Sequence, residues 1–235
     1  MRKNSSTLKL FAVLCILSLA TPAGAQTTTE VWPEVSTFVK LNDQMRFYFL
    51  ATTVRENKEA TQIEVGPNFD FYLKPFAKKP NKFLMLRLDE SKNRVLLVRV
   101  GYRFLPSLIS DSPVEHRGVL EATPRFPLMV GVLLSDRSRI DFRWVAGVYS
   151  WRYRNRLTLE YDFSVGRVRI NPYVRAESFY DSRSSKFSRT ALTAGTAFPI
   201  SKNFELESYF EHQNDTGGSS NKELNGIGAV LNLYF

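Results

Sequence analysis

The chain lacks most of the residues on which enzymes and metal sites are built. Its 235 residues include one cysteine and two histidines. The cysteine, Cys15, sits inside an apolar stretch at residues 10–19, so everything after that stretch is free of thiols. Without cysteine there is no disulfide staple and no thiol chemistry. Two histidines and no thiolate leave a transition-metal site short of ligands. Long apolar runs are missing as well: beyond residue 19 nothing approaches the roughly 20 residues that a membrane helix requires. Nor does any segment show the 3.6-residue apolar period of an amphipathic helix.

The N-terminus does carry a targeting pattern. Arg2, Lys3 and Lys9 form a basic leader, residues 10–19 an apolar core, and Ala23-Gly24-Ala25 a small-residue cleavage site. The apolar core is too short to span a bilayer. The expectation is a secretory signal peptide at residues 1–25, removed to leave one domain, residues 26–235, starting at Gln26. No cysteine stands at the cleavage point, which excludes lipoprotein processing. Loss of the three basic residues lowers the formal charge from +9 to +6. The remaining positive charge is spread through alternating stretches, which reads as the property of a face and not as a nucleic-acid patch.

Alternation is the dominant pattern. In residues 63–73, Ile63, Val65, Phe69, Phe71 and Leu73 are interleaved with Glu64, Asn68, Asp70 and Tyr72. In 44–54, Met45, Phe47, Phe49 and Ala51 are interleaved with Gln44, Arg46, Tyr48 and Thr52. Period two puts successive side chains on opposite faces of a strand. Further strands are expected at 31–41, 94–104, 115–125, 167–180, 187–198 and 203–213, and in the last residues from Ile227. A less regular one at 83–88 would reach 94–104 through a turn at 90–93. Pro172 calls for a bulge or a strand start, because proline removes a ladder bond. Short polar connections make this an all-β, antiparallel up-and-down barrel of about 12 strands, with roughly 10 or 14 as alternatives.

Residues 137–162 carry the densest charge. Arg137, Arg139, Asp141 and Arg143 share one face of a first arm, and Arg152, Arg154, Arg156, Glu160 and Asp162 one face of a second. The opposite faces hold Ile140, Phe142 and Trp144, then Trp151, Tyr153, Leu157, Leu159 and Tyr161. A turn at Gly147-Val148 would set Asp141 opposite Arg154, Arg139 opposite Arg156 and Arg143 opposite Arg152. A turn at Val165-Gly166 would set Asp162 opposite Arg169, Arg154 opposite Glu177 and Arg156 opposite Arg175. On that register the arginines outnumber their local acids.

Alternation does not say which face is inside. A soluble lipocalin-like barrel is apolar within, and a membrane barrel is turned inside out. Here Leu231, Leu233 and Phe235 close the chain in a pattern that looks like the assembly signal of bacterial outer-membrane barrels. Trp32, Tyr102, Trp144, Tyr149, Trp151, Tyr180 and Tyr234 fall near expected strand ends, where interfacial girdles form. Each arginine turned to lipid at midplane would cost about 2–4 kcal/mol. The ladder is therefore expected to line a lumen.

An early Trp (Trp32), Gly101-Tyr102-Arg103 at a strand end, the start Glu115-His116-Arg117, the Arg-rich hairpin and Arg175-Ala176-Glu177-Ser178-Phe179 together carry a resemblance. The chain resembles an uncharacterised family of Gram-negative outer-membrane β-barrels, catalogued as domain of unknown function 2490. The resemblance implies an outer-membrane barrel and supplies no activity, substrate or catalytic residue.

The expectation for function is a non-enzymatic outer-membrane barrel with an Arg/Glu-lined lumen, a narrow pore with weak anion preference. Its partners would be outer-membrane lipids, the barrel assembly machinery and small anionic solutes, with no nucleic acid, cofactor or metal. One alternative is a lipid-modifying hydrolase, although His116 precedes Arg117 and His212 precedes Gln213, so no His-Ser pair exists. The other is a soluble periplasmic binding barrel. Glu205, Glu207 and Glu211 read as lumen residues that meet arginines across the barrel. Gly226 and Gly228 read as points that ease strand curvature.

Overall fold

The computed structural model describes residues 28–56, 59–75, 88–109, 113–129, 131–166, 168–217 and 221–235. The targeting segment expected at 1–25 lies outside the described residues, as does the strand expected at 83–88 apart from Leu88.

The strands are β1 (Thr28–Lys40), β2 (Met45–Glu56), β3 (Glu59–Pro75), β4 (Arg94–Leu105), β5 (Glu115–Met129) and β6 (Val132–Val145). They continue as β7 (Val148–Tyr161), β8 (Phe163–Val165), β9 (Val168–Asp181), β10 (Lys186–Pro199), β11 (Phe204–Asp215) and β12 (Lys222–Tyr234). Each long strand pairs with its sequence neighbours, and β12 returns to pair with β1, so the sheet closes into a barrel. Eleven strands form the ring, because β8 pairs only with β9 and continues the line of β7 past a break at Asp162. Among the described residues there are 12 strands, the number expected, and β8 is one that the alternation did not separate from the strand before it.

An odd ring has a geometric consequence. Successive hairpins reverse the chain at every step, so the first and eleventh strands of the ring run the same way. The β1·β12 seam is accordingly parallel, from Thr28↔Leu224 to Phe38↔Tyr234, while every other seam is antiparallel. One end of the barrel gathers Lys40, Pro75, Tyr161 and Phe235, and is called here the Phe235 end. The other, the Gly147 end, gathers Thr28 and the hairpin between β6 and β7.

That hairpin turns through Ala146 (φ 48°) and Gly147 (φ 81°), with Val145 paired to Val148. Positive φ at both central residues is the pattern of a type I′ turn, whose twist matches that of the flanking strands. The turn is thus one residue earlier than Gly147-Val148. Every cross-strand partner moves by two: Asp141 faces Arg152, Arg139 faces Arg154 and Arg137 faces Arg156. The next hairpin is displaced by the same amount, pairing Val165 with Val168 and setting Arg156 opposite Glu177. A slip of two keeps each side chain on its face, whereas a slip of one would have reversed it.

Pro172 lies inside β9, level with the break between β7 and β8. The neighbour on that side offers no regular ladder there, so the missing N–H of proline costs little. The strand expected at 115–125 runs on to Met129 as β5, through Pro124 and Pro127, with a register shift between Pro127 and Met129.

The two faces of the wall differ in polarity, although Leu97, Leu105, Leu133 and Val230 are buried among the charged side chains of the inner one. Arg103, Glu121, Asp70 and Asp141 are among the most buried side chains, while Val100, Leu120, Phe126, Leu192 and Ile227 are exposed on the outside. Near the Gly147 end the outer face carries an aromatic band in which Trp144 meets Tyr149, and Tyr180 meets both Trp151 and Phe187. Trp32 and Tyr234 do not join it. Trp32 packs on the lumen side over Gly226, and Tyr234 stacks on Phe38 at 5.0 Å between centroids. Gly226 and Gly228 therefore serve a close approach: a Cβ at either would collide with the ring of Trp32 or Tyr209. No described helix is long and apolar enough to cross a membrane.

Candidate functional site in the charged lumen

The inward positions of β4 to β9 are mostly polar, with Leu97, Leu105, Val119, Leu133 and Phe179 among them, and arginine is the commonest residue there. Arginine suits the setting because its planar fork can bind two acceptors and still reach across neighbouring strands. Arg143 holds Glu115 through Nε and Nη2 at 2.6 and 2.8 Å, and Arg117 Nε reaches the same carboxylate at 2.8 Å. Arg139 donates to Asp141 at 2.6 Å. Arg137, Arg154 and Arg156 converge on Glu177 at 2.7, 2.8 and 2.5 Å. Arg152 binds Asp181 at 2.8 Å. Arg175 reaches Glu207 at 3.0 Å and lies over the ring of Tyr173.

The remaining residues of the expected ladder are also placed. Glu160 takes a hydrogen bond from Lys92 at 2.7 Å, and Asp162 one from Asn171. Arg169 sits across from Ser164 in the short β8·β9 pairing. Leu231 is exposed on the outer face of β12 and Phe235 is exposed at its end, while Leu233 is half-buried. Glu115, Glu64 and Glu207, which complete the network, belong to strands outside the Arg-rich hairpin: Glu115 to β5 beside β6, Glu64 to β3 beside β4, and Glu207 to β11, one strand beyond β10 from Arg175. Among the described residues Glu205 and Glu211 meet no arginine: Glu205 accepts from Asn232 and Tyr234, and Glu211 from Thr193 and Gln213.

A second cluster sits toward the Phe235 end. Asp70, fully buried, accepts from Arg46 Nε at 2.7 Å and from Arg99 Nε and Nη2 at 2.6 and 3.0 Å. Residues 90–93, expected as a hairpin turn, form a single 3₁₀ turn, Glu90–Asn93, that folds into this mouth. Asp89 accepts from Arg46 Nη1 at 2.6 Å, the Ser91 carbonyl accepts from Arg125 at 2.6 Å, and Lys92 crosses to Glu160. Alternation had no way to show this, because the turn belongs to no strand. Burial alone would raise the Asp89 carboxyl, but the charges of Arg46, Lys92 and Arg125 more than offset it and hold the group well below the usual carboxylate range.

Two spaces remain. A lumen cavity of about 380 Å³ is lined from every long strand but β10 and from the 3₁₀ turn, with ten basic and eight acidic side chains. A vestibule of about 500 Å³ at the Gly147 end is lined by Arg152, Arg183, Arg189 and Lys222 against Asp181 and Asp215.

The histidines lie apart from these spaces. His116 is on the outer face, bonded to the Tyr102 hydroxyl and beside Phe104, and His212 pairs with Asn225 at 2.9 Å. No serine hydroxyl is bonded to either ring among the described residues. Among the described residues no three His, Cys, Asp or Glu side chains are arranged to hold a metal ion.

The family model described as "Protein of unknown function (DUF2490)" matches residues 29–223. The chain belongs to the DUF2490 family. The matched region begins in β1 and ends at the start of β12, so in this DUF2490 protein it takes in the whole Arg-rich hairpin and both clusters. No curated protein and no solved structure matches the chain.

Proposed function

We propose that this DUF2490 protein is a non-enzymatic outer-membrane β-barrel, exported by a cleaved signal peptide, whose charged lumen gives a narrow passage with weak anion preference. The observation that carries the reading is the reversed polarity of the wall. A soluble barrel buries its apolar face, yet here Val100, Leu120, Phe126, Leu192 and Ile227 point outward while Arg103, Glu121 and Asp141 point in. An apolar surface running round a closed sheet far exceeds the few hundred Å² that soluble monomers leave exposed. It matches instead the outer band of a membrane barrel, and the aromatics near the Gly147 end match an interfacial girdle. Outer-membrane lipids and the assembly machinery are the partners that such a surface and a Phe235 terminus imply.

The weak anion preference rests on charge. The cavity holds ten basic against eight acidic side chains, and the vestibule four against two. Most of these charges are paired, so the surplus is small and the ion pairs themselves fill much of the bore. The 3₁₀ turn narrows the Phe235 end further.

The test is fractionation followed by planar-bilayer recording under a salt gradient. Recovery in the outer-membrane fraction with heat-modifiable gel mobility, and small currents with an anion-selective reversal potential, are expected. Recovery in the soluble fraction would overturn the location, and a cation-selective or silent bilayer would overturn the passage.

A further inference from the structure

Part of the outer wall does not suit a surface that faces lipid. Arg137 and Arg139 of β6, and Arg154 and Arg156 of β7, line the lumen cavity. Alternation therefore turns Asp136 and Ser138, and Tyr153 and Asn155, to the outside. Ser138 and Asn155 are paired in register at the middle of the two strands. The four side chains form one hydrogen-bonded cluster: Asn155 donates to Asp136 at 2.7 Å and to Ser138 at 3.4 Å, and the Ser138 and Tyr153 hydroxyls are 3.1 Å apart. The polar row continues in register through Ser178 on β9 to Thr190 on β10. Around the cluster the wall is apolar, with Leu120, Leu157 and Leu159 exposed.

Asp136 differs from the acids of the lumen. Asp70, Asp141 and Glu177 each hold an arginine, whereas no ion pair reaches Asp136 among the described residues. Its Oδ1 accepts from Asn155, and its second oxygen accepts no hydrogen bond among the described residues. A carboxylate at mid-depth in hydrocarbon is costly unless a partner meets it. Of the Ser138 and Tyr153 hydroxyls one donates to the other, which leaves one O–H unspent. The cluster thus holds an unfilled acceptor beside an unspent donor, the two halves of a bond that it can make with a copy of itself.

We infer that two copies of this chain pair in the membrane through the outer faces of β6 and β7, the free hydroxyl of each cluster donating to Asp136 of the other. A two-fold axis along the membrane normal brings equal depths together, so clusters at the middle of their strands meet. The same axis makes the contact self-complementary, with each copy giving one bond and taking one. The pairing removes the carboxylate from lipid and leaves the lumen charges untouched. It rests on the membrane reading above, because it is lipid that makes an unmatched carboxylate costly on this wall.

Disulfide cross-linking of the full chain tests this. Cys15 is the chain's one cysteine, so Cys15→Ser with Ser138→Cys carries a single thiol and keeps Asp136 and the Tyr153 hydroxyl. The control is Cys15→Ser with Val35→Cys, an exposed outer position of β1 across the ring. Mild oxidation in lipid vesicles is expected to link the Ser138→Cys chain to itself and to leave the control monomeric. Energy transfer between labelled copies, followed as they are diluted in lipid, gives the dissociation constant. Asp136→Leu should raise it roughly tenfold or more, the size of one hydrogen bond between membrane segments, and Tyr153→Phe by less. Heat-modifiable mobility identifies the folded variants. Equal linking at both positions, a dissociation constant unmoved in folded Asp136→Leu, or a Ser138→Cys adduct with a different protein in whole cells would overturn the inference. A monomer recovered from the outer membrane sinks this inference alone, and a linked dimer recovered from the soluble fraction sinks the membrane reading alone.

Discussion

The two ends of the barrel are built from the same kinds of side chain and finished in opposite ways. At the Phe235 end, Asp70 is buried between Arg46 and Arg99, and the chain folds a 3₁₀ turn into the opening so that Asp89, Ser91 and Lys92 touch three different strands. At the Gly147 end a vestibule of about 500 Å³ remains, and its outer pair is wetter: Arg189 and Asp215 are each 31% exposed. One end is a packed ionic core and the other a charged funnel. Ion pairs at the first should govern stability and closure, whereas those at the second should govern which ions approach.

The largest difference is expected in stability. Asp70→Asn leaves Arg46 and Arg99 without their shared carboxylate in a site that excludes water, and breaking a buried pair this way costs about 3–5 kcal/mol. Asp215→Asn breaks a half-exposed pair and should cost less than about 1 kcal/mol. Urea unfolding of the two variants in lipid vesicles measures both. Equal losses would erase the distinction between the ends.

The second effect concerns closure. Asp89→Asn removes the charge that ties the 3₁₀ turn to Arg46, while Arg46 keeps Asp70. Single-channel current should rise several-fold in this variant, with little change after Glu90→Gln, because Glu90 is exposed and pairs with an exposed Lys40. No rise after Asp89→Asn would show that the turn does not limit passage.

Acid separates the ends by a smaller amount. Asp89 has a depressed folded pKa, so its contribution is complete above the unfolded value of about 4 and is lost only as pH falls through the folded one. Closure at the Phe235 end should therefore persist through pH 4 and fail well below it. Currents recorded as the bath on that side is acidified follow this directly, and opening at or above about pH 4 would contradict it.

How much of this was legible from sequence differs between the faces and the partners. Alternation fixed the faces: each of the arginines from Arg137 to Arg156 lies on the side assigned to it, since a strand allows only two choices. Partners were less legible. Ala146 has no sequence mark of a positive φ, so sequence alone centres the hairpin on Gly147-Val148 and displaces every pairing by two. Glu207 for Arg175, and Glu64 for Arg103 and Arg117, come from strands far off in sequence that curvature brings near. A parallel seam could not be read either, because it follows from the parity of the ring. A single strand more or less reverses it.

The smallest expected effect is at the vestibule and is also the most informative about selectivity. Lys222 lines it on the β12 side, across from Asp215 in register, and its charge is added to those of Arg152, Arg183 and Arg189. Removing one of four positive charges facing two negative ones halves the local surplus. Such charges act through water, and at physiological salt their reach is about 8 Å. Lys222→Gln should therefore shift the reversal potential slightly toward zero at high salt and more as salt is lowered. The same substitution should leave urea stability unchanged, since Lys222 is exposed and makes no ion pair among the described residues. A shift independent of salt would mean that selection happens at the buried charges of the lumen and that the funnel only admits ions without sorting them.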